Sequence, residues 1–178
     1  MQHRMDDAKL EEWESRRGKI IEREELDDPD ISKALYHSHT DEAGNFYIPS
    51  EHLRMAFINA GSFVKSKVGN ARKSMKNIVA AMFTITPDAI RMPRFDQIDK
   101  RSAVNRAAKA RVITIRPKWS EWKAEFELIV DNDTITESTI KDIISYAGAY
   151  VGIGSYRPTN NGPFGRFELS VLEKTKAE

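Results

Sequence analysis

Cysteine is absent from the 178 residues. That excludes disulfides and thiolate metal sites, and it fits a reducing compartment such as the cytoplasm. No apolar run approaches the length of about eighteen residues that a membrane-spanning helix needs. The opening MQHRMDDAKL has no apolar segment of the kind found in a secretory leader. No G-K-[ST] follows a glycine-rich turn, so a Walker A phosphate loop is excluded. There is no internal repeat and no low-complexity tract. The chain is 40% hydrophobic and 31% charged, a composition suited to a soluble protein with one core.

The net charge of +1 conceals an uneven distribution. Residues 1–30 hold 6 Lys/Arg against 11 Asp/Glu, a net of −5. Residues 61–118 hold 14 against 3, a net of +11, and residues 119–178 hold 6 against 10, a net of −4. A basic middle between acidic ends permits a positive surface on a nearly neutral molecule.

The element pattern starts with an acidic helical segment within 1–30, where Asp6 or Asp7 caps DDAKLEEWESRR and a polar loop follows. ALYHSHT and FYIP read as two short strands around a glycine-containing turn. Pro49-Ser50 starts a helix with Ser50 as N-cap and Leu53, Phe57, Ala60 and Val64 at helical spacing, with Ala56 and Phe63 beside them. VGNARKSMK reads as a basic loop or short helix, and IVAAMFTI, 78–85, as a buried strand. Residues 86–110 read as an irregular basic excursion. RVITIRP, 111–117, and WKAEFELIV, 122–130, then form a hairpin, the second strand alternating Trp122, Ala124, Phe126, Leu128 and Val130 with polar residues. Thr136 caps a helix striped by Ile140, Ile143, Ile144, Ala147 and Val151. Phe167, Leu169 and Val171 alternate in a closing strand. Strands interleaved with two amphipathic helices predict an α+β fold of ferredoxin-like (RRM-like) type. An antiparallel sheet carries its helices on one face, in a single domain over 31–178.

Three constellations bear on chemistry. His37 and His39 flank Ser38 on a strand and share a face. They offer half of a metal site, half of a twin-histidine phosphoesterase motif, or a general acid or base, but no further ligand stands at metal-binding spacing. The simpler reading is of surface histidines at a strand end. The excursion carries Arg91, Arg94, Lys100, Arg101, Arg106, Lys109, Arg111, Arg116 and Lys118, a set that binds phosphate backbones through charge and counterion release or else only solvates a loop. The third is GIGSYRPTNNGPFGRF, 152–167. Gly152, Gly154, Gly162 and Gly165 let another backbone approach, Arg157 and Arg166 supply charge, and Tyr156 and Phe164 offer stacking faces. The same stretch also reads as a long connector.

The G-x-G, basic insert and G-P-F-G leading into a last strand, preceded by FYIPSEHLRMAF at 46–57, resemble the glycine-rich loop and first strand-to-helix junction of the RAMP superfamily. That superfamily includes the backbone subunits and processing nucleases of CRISPR systems. The resemblance covers residues from about 33 to 172. RVITIRPKWSEWKAEFEL, AGAYVGIGSYRP and FGRFEL are further similar to small proteins of tailed phages and prophages. The resemblance implies a ferredoxin-like core, nucleic-acid binding and side-by-side assembly. Two departures stand out. The family fold begins with a β-strand where this chain has an acidic segment, with KIIE, 19–22, too short to replace it. His37 and His39 do not align with the nuclease members' histidine site, so no catalysis is carried over.

The expected function is non-catalytic binding of single-stranded DNA or RNA in a bacterial host cytoplasm. The expected site comprises Arg157, Tyr156, Gly152, Gly154, Gly162, Gly165 and Arg166 in the loop, with Arg101, Arg106, Lys109, Arg111, Arg116 and Lys118 in the excursion. Lys65, Lys67, Arg72 and Lys73 extend the groove. Copies of the chain assembling along the strand are a further expected partner. No cofactor, metal or membrane is expected. The alternative is a protein-interaction module that mimics or blocks a subunit of a host defence complex. A histidine-based ribonuclease is the third reading.

Overall fold

A computed structural model describes residues 28–68, 71–105, 110–131 and 135–174. The expected helix over 6–17 and the segment KIIE lie outside the described residues. The described chain is α+β. Its elements are α1 (Pro29–Tyr36), β1 (Tyr47–Pro49), α2 (Ser50–Ala60), β2 (Lys65–Val68), β3 (Ala71–Ser74), α3 (Lys76–Met82), β4 (Phe83–Thr86), β5 (Ala89–Arg91), β6 (Gln97–Asn105), β7 (Ala110–Lys118), β8 (Glu127–Val130) and α4 (Glu137–Tyr146). A π turn (Ala147–Val151) extends α4, and a 3-10 turn (Pro158–Asn160) follows. Among the described residues no helix is long and apolar enough to cross a membrane.

The single domain expected over 31–178 contains two compact units. One combines the described residues up to Ile48 with Arg91–Glu125, and the other combines Pro49–Ile90 with the described residues from Phe126 onward.

In the first unit, ALYH is not a strand. Asp28 caps α1, its Oδ1 accepting the Asp30 N–H at 2.8 Å, and Pro29 stands at the first helical position. Proline there gives up no helical hydrogen bond, so the acidic turn before it is a helix start. The helix ends at His37, and only a single bridge, Thr40 to Phe46, survives of the expected strand pair. α1 packs on β6 and β7 and buries Ala34 and Leu35. Much of the described part of the excursion is regular, for Ala89–Arg91 and Gln97–Asn105 are strands, while 92–96 lie in no ladder. β6 and β7 pair antiparallel in register from Gln97↔Lys118 to Asn105↔Ala110.

In the second unit, α2 starts where expected, but Ser50 does not cap it with its side chain. The Ser50 N–H donates to the Asp88 carbonyl at 2.8 Å. Leu53, Ala56, Phe57 and Ala60 are buried against α3, β4, α4 and the π turn, each large side chain contributing about 1.5–3 kcal/mol by leaving water. VGNARKSMK is neither loop nor helix in its described part, for β2 and β3 form an antiparallel ribbon. IVAAMFTI divides into the end of α3 and β4. Arg54 fixes that junction, donating from Nη2 to the Ala80 carbonyl at 2.6 Å and from Nε to the Phe83 carbonyl at 3.1 Å. These satisfy carbonyls that the helix end leaves open.

The expected 111–130 hairpin does not form. β7 pairs with β6, and β8 pairs with β4 across Phe83↔Val130 to Thr86↔Glu127. The alternating exposure along 122–130 holds, but only Glu127–Val130 lies in a ladder. Thr136 caps α4 as expected, its Oγ1 accepting the Thr139 N–H at 3.2 Å. Ile143, Ile144, Ala147 and Val151 are buried. The closing strand makes no ladder among the described residues.

Candidate nucleic-acid interface

Strand alternation sorts the cations of the β6–β7 hairpin. Residues directly opposite in an antiparallel pair share a face. Asp99↔Arg116, Arg101↔Thr114 and Gln97↔Lys118 therefore lie on one face, and Lys100↔Ile115 and Val104↔Arg111 on the other. Arg101 and Asp99 form an ion pair, and Lys118 Nζ donates to Gln97 Oε1 at 2.8 Å. Lys100 Nζ pairs with Asp30 on α1 at 2.6 Å. Arg111 is exposed and Arg116 half-buried. Arg106 and Lys109 lie outside the described residues. Toward that end the ribbon exposes Val104 (65%) and Ile113 (68%).

The glycine-rich stretch belongs to the other unit and closes on itself. The Ile153 N–H donates to the Gly165 carbonyl at 2.9 Å, Phe164 N–H to the Tyr156 carbonyl at 3.1 Å, and Gly162 N–H to the Arg157 carbonyl at 3.0 Å. Gly165 has φ +70°, and a Cβ there would stand 1.8 Å from the Ile153 carbonyl oxygen. Gly162 is crowded by the Tyr156 carbonyl and Gly152 by the Pro158 ring. The approaching backbone that these glycines admit is therefore the loop's own. Gly154 differs, for its φ is +83° and a Cβ would meet nothing within 4 Å.

The arginines of the loop serve it too. Arg157 donates from Nε to Thr159 Oγ1 at 2.9 Å and from Nη1 to the Gly154 carbonyl at 2.8 Å. Arg166 Nη1 donates to the Ala149 carbonyl. Tyr156 and Phe164 pack edge to face with centroids 5.9 Å apart.

His37 ends α1, and His39 precedes the bridge at Thr40. They are not on a shared strand face. Burial holds the His37 imidazole below its ordinary pKa, with the Arg116 charge adding to the effect. Burial alone lowers His39. Their rings lie against Tyr36 and Tyr47 respectively. Among the described residues no three His, Cys, Asp or Glu side chains cluster to hold a metal.

Sequence reasoning missed one group. Phe63, Tyr146 and Tyr150 form an aromatic triangle with centroids 6.0, 5.6 and 5.9 Å apart. Tyr146 and Tyr150 are four residues apart, one helical turn, and that spacing was the available signal. Phe63 was placed beside the apolar stripe of α2, but it is exposed. Its pairing with α4 joins parts of the chain more than eighty residues apart.

The predicted residues thus divide between the units, the described β6–β7 cations in one and the β2–β3 cations with the glycine-rich loop in the other. No protein-family model matches this chain, and neither a curated protein nor a solved structure shows significant similarity to it.

Proposed function

We propose that the protein is a non-catalytic binder of single-stranded nucleic acid of RAMP-like type, working in a bacterial cytoplasm. The observation that carries this reading is the distribution of free cations. Lys65, Arg72, Lys73 and Arg111 are exposed on antiparallel ribbons, and none has an ion-pair partner among the described residues. Such cations hold phosphates by releasing condensed counterions. The open turn at Gly154, beside Arg157 and Tyr156, provides a backbone approach in the second unit. The order β1, α2, β4, β8, α4, with β4 and β8 antiparallel and α2 packed on α4, supports a ferredoxin-like core. Side-by-side assembly along the strand belongs to the same reading.

The test is fluorescence anisotropy with labelled twenty-nucleotide oligo(dT) and oligo(rU). Three phosphate contacts on a single strand give a log–log salt slope of about −2, so affinity falls about twentyfold between 50 and 200 mM salt. Arg157→Ala weakens binding by about 1–2 kcal/mol. Binding that is flat across that salt range overturns the reading.

A protein partner, such as a host defence complex whose subunit is mimicked or blocked, is the second reading. The exposed Val104 and Ile113 near the end of the β6–β7 ribbon favour it. A stoichiometric partner retained after nuclease treatment supports it.

A further inference from the structure

Large aromatic side chains rarely gather on a surface without something to cover them. Phe63 is 53% exposed, Tyr150 59% and Tyr146 36%. Their rings run close to parallel, with interplanar angles of 12° for Phe63–Tyr146 and 27° for Tyr146–Tyr150. Phe63 and Tyr150 are tilted by 35°, so the three rings pack on one another and each keeps part of its area open to solvent. Two distant pieces of chain hold it. Phe63 leaves the end of α2, where its N–H donates to the Ala60 carbonyl at 2.9 Å. Tyr146 closes α4, and Tyr150 sits in the π turn, where the Gly152 N–H reaches back to the Ala147 carbonyl at 2.7 Å. Ile143, Ala147 and Val151 of the same helix and turn are buried, which anchors the segment that carries Tyr146 and Tyr150.

The charge beside it is positive. Two residues after Phe63 the chain enters β2, and the Met75 N–H returns to the Val64 carbonyl at 3.0 Å, which ties the ribbon to the platform's edge. Lys65 is opposite Ser74, so Lys65 and Arg72 share one ribbon face, while Lys73, opposite Ser66, takes the other. All three are exposed. One carboxylate, Asp142, lies a turn before Tyr146 on the exposed stripe of α4, and it repels phosphate at that end. Exposed aromatic rings with cations on one flank fit a polymer that has π faces and a phosphate backbone, and stacking on such rings tolerates any base.

We infer that Phe63, Tyr146 and Tyr150 form a base-stacking platform for single-stranded nucleic acid, with Lys65 and Arg72 holding the adjoining phosphates. The inference rests on the nucleic-acid reading above and assigns it a site outside the glycine-rich loop.

The test compares three fifteen-unit probes of equal charge by anisotropy: oligo(dT), oligo(rU) and an abasic deoxyribose-phosphate chain. The wild type binds the base-bearing probes at least tenfold more tightly than the abasic one. Tyr150→Leu and Phe63→Leu, which keep apolar bulk on an exposed surface, each remove fivefold or more of that preference and leave the salt slope unchanged. Arg72→Gln lowers the salt slope and leaves the preference. Equal binding of abasic and base-bearing probes, or a preference untouched by both leucine variants, overturns the platform while salt-dependent binding preserves the broader reading. No binding of any probe overturns both. Circular dichroism of each variant, unchanged from wild type, excludes misfolding as the cause of a loss.

Discussion

Gly165→Ala tests the self-closing architecture of the glycine-rich loop. Gly165 sits at φ +70°, and the new Cβ would lie 1.8 Å from the Ile153 carbonyl oxygen and 2.8 Å from its carbon. Left-handed backbone costs a non-glycine residue about 1–2 kcal/mol. The clashing atoms are backbone, so no side-chain rotation relieves them. The loop must move, which breaks the bond from the Ile153 N–H to the Gly165 carbonyl and removes about another 1 kcal/mol. The expected total is about 2–3 kcal/mol, or a fall in Tm of about 4–12 °C for a chain of this size. Gly154→Ala is the control. Its φ of +83° carries the same backbone strain, but its Cβ enters open space, so the expected cost is about 1–2 kcal/mol. Urea unfolding followed by far-ultraviolet circular dichroism measures both, and hydrogen exchange over 148–168 locates the change. Equal destabilisation by the two substitutions, or a rapidly exchanging Ile153 amide in the wild type, refutes the argument.

Phe57→Ala removes a fully buried ring that meets Phe126 and Phe167 at centroid distances of 6.1 and 6.5 Å. An unfolding loss of about 3–5 kcal/mol is expected by the same urea assay. Arg54→Met keeps the stem but leaves the Ala80 and Phe83 carbonyls without their donors, an expected loss of about 1.5–3 kcal/mol in the urea midpoint analysis. Depressed pKa values for His37 and His39 mean that the folded chain binds fewer protons than the unfolded one below the ordinary value of 6.5. Stability is therefore complete above that pH and declines as pH falls through it toward the folded values. The urea midpoint should be lower at pH 5.5 than at pH 7.5, and His37→Gln with His39→Gln should flatten the difference.

Local chemistry was legible from the residues alone. Thr136 caps α4 because a hydroxyl at that position satisfies an orphan N–H, and the Ile143, Ala147, Val151 stripe is buried because its spacing matches one helix face. The start of α2 was equally legible, but its capping partner was not. The Ser50 N–H finds the Asp88 carbonyl, almost forty residues away. Asp28-Pro29 stands at the end of the expected polar loop, yet it caps and opens α1. A pair that often marks a turn also caps a helix, and only the helix it opens tells the two apart.

Strand partnership required the tertiary structure. RVITIRP has the alternation of a strand, and nothing in that alternation distinguishes 97–105 from 122–130 as its neighbour. Ladder bonds are the same for any sequence, so the choice is made by what each face buries. The same applies to GIGSYRPTNNGPFGRF. Its composition determined that the backbone would take left-handed turns and tolerate close approach. Tertiary structure decided what approaches, which at Gly152, Gly162 and Gly165 is the loop's own chain, and left Gly154 open. The sequence by itself determined the α+β character, the helix stripes and the charge segregation, because these depend on periodicity and composition. Packing alone decided the pairing of strands, the division of the candidate residues between two units and the meeting of Phe63 with Tyr146 and Tyr150, because contacts between distant segments leave no local pattern.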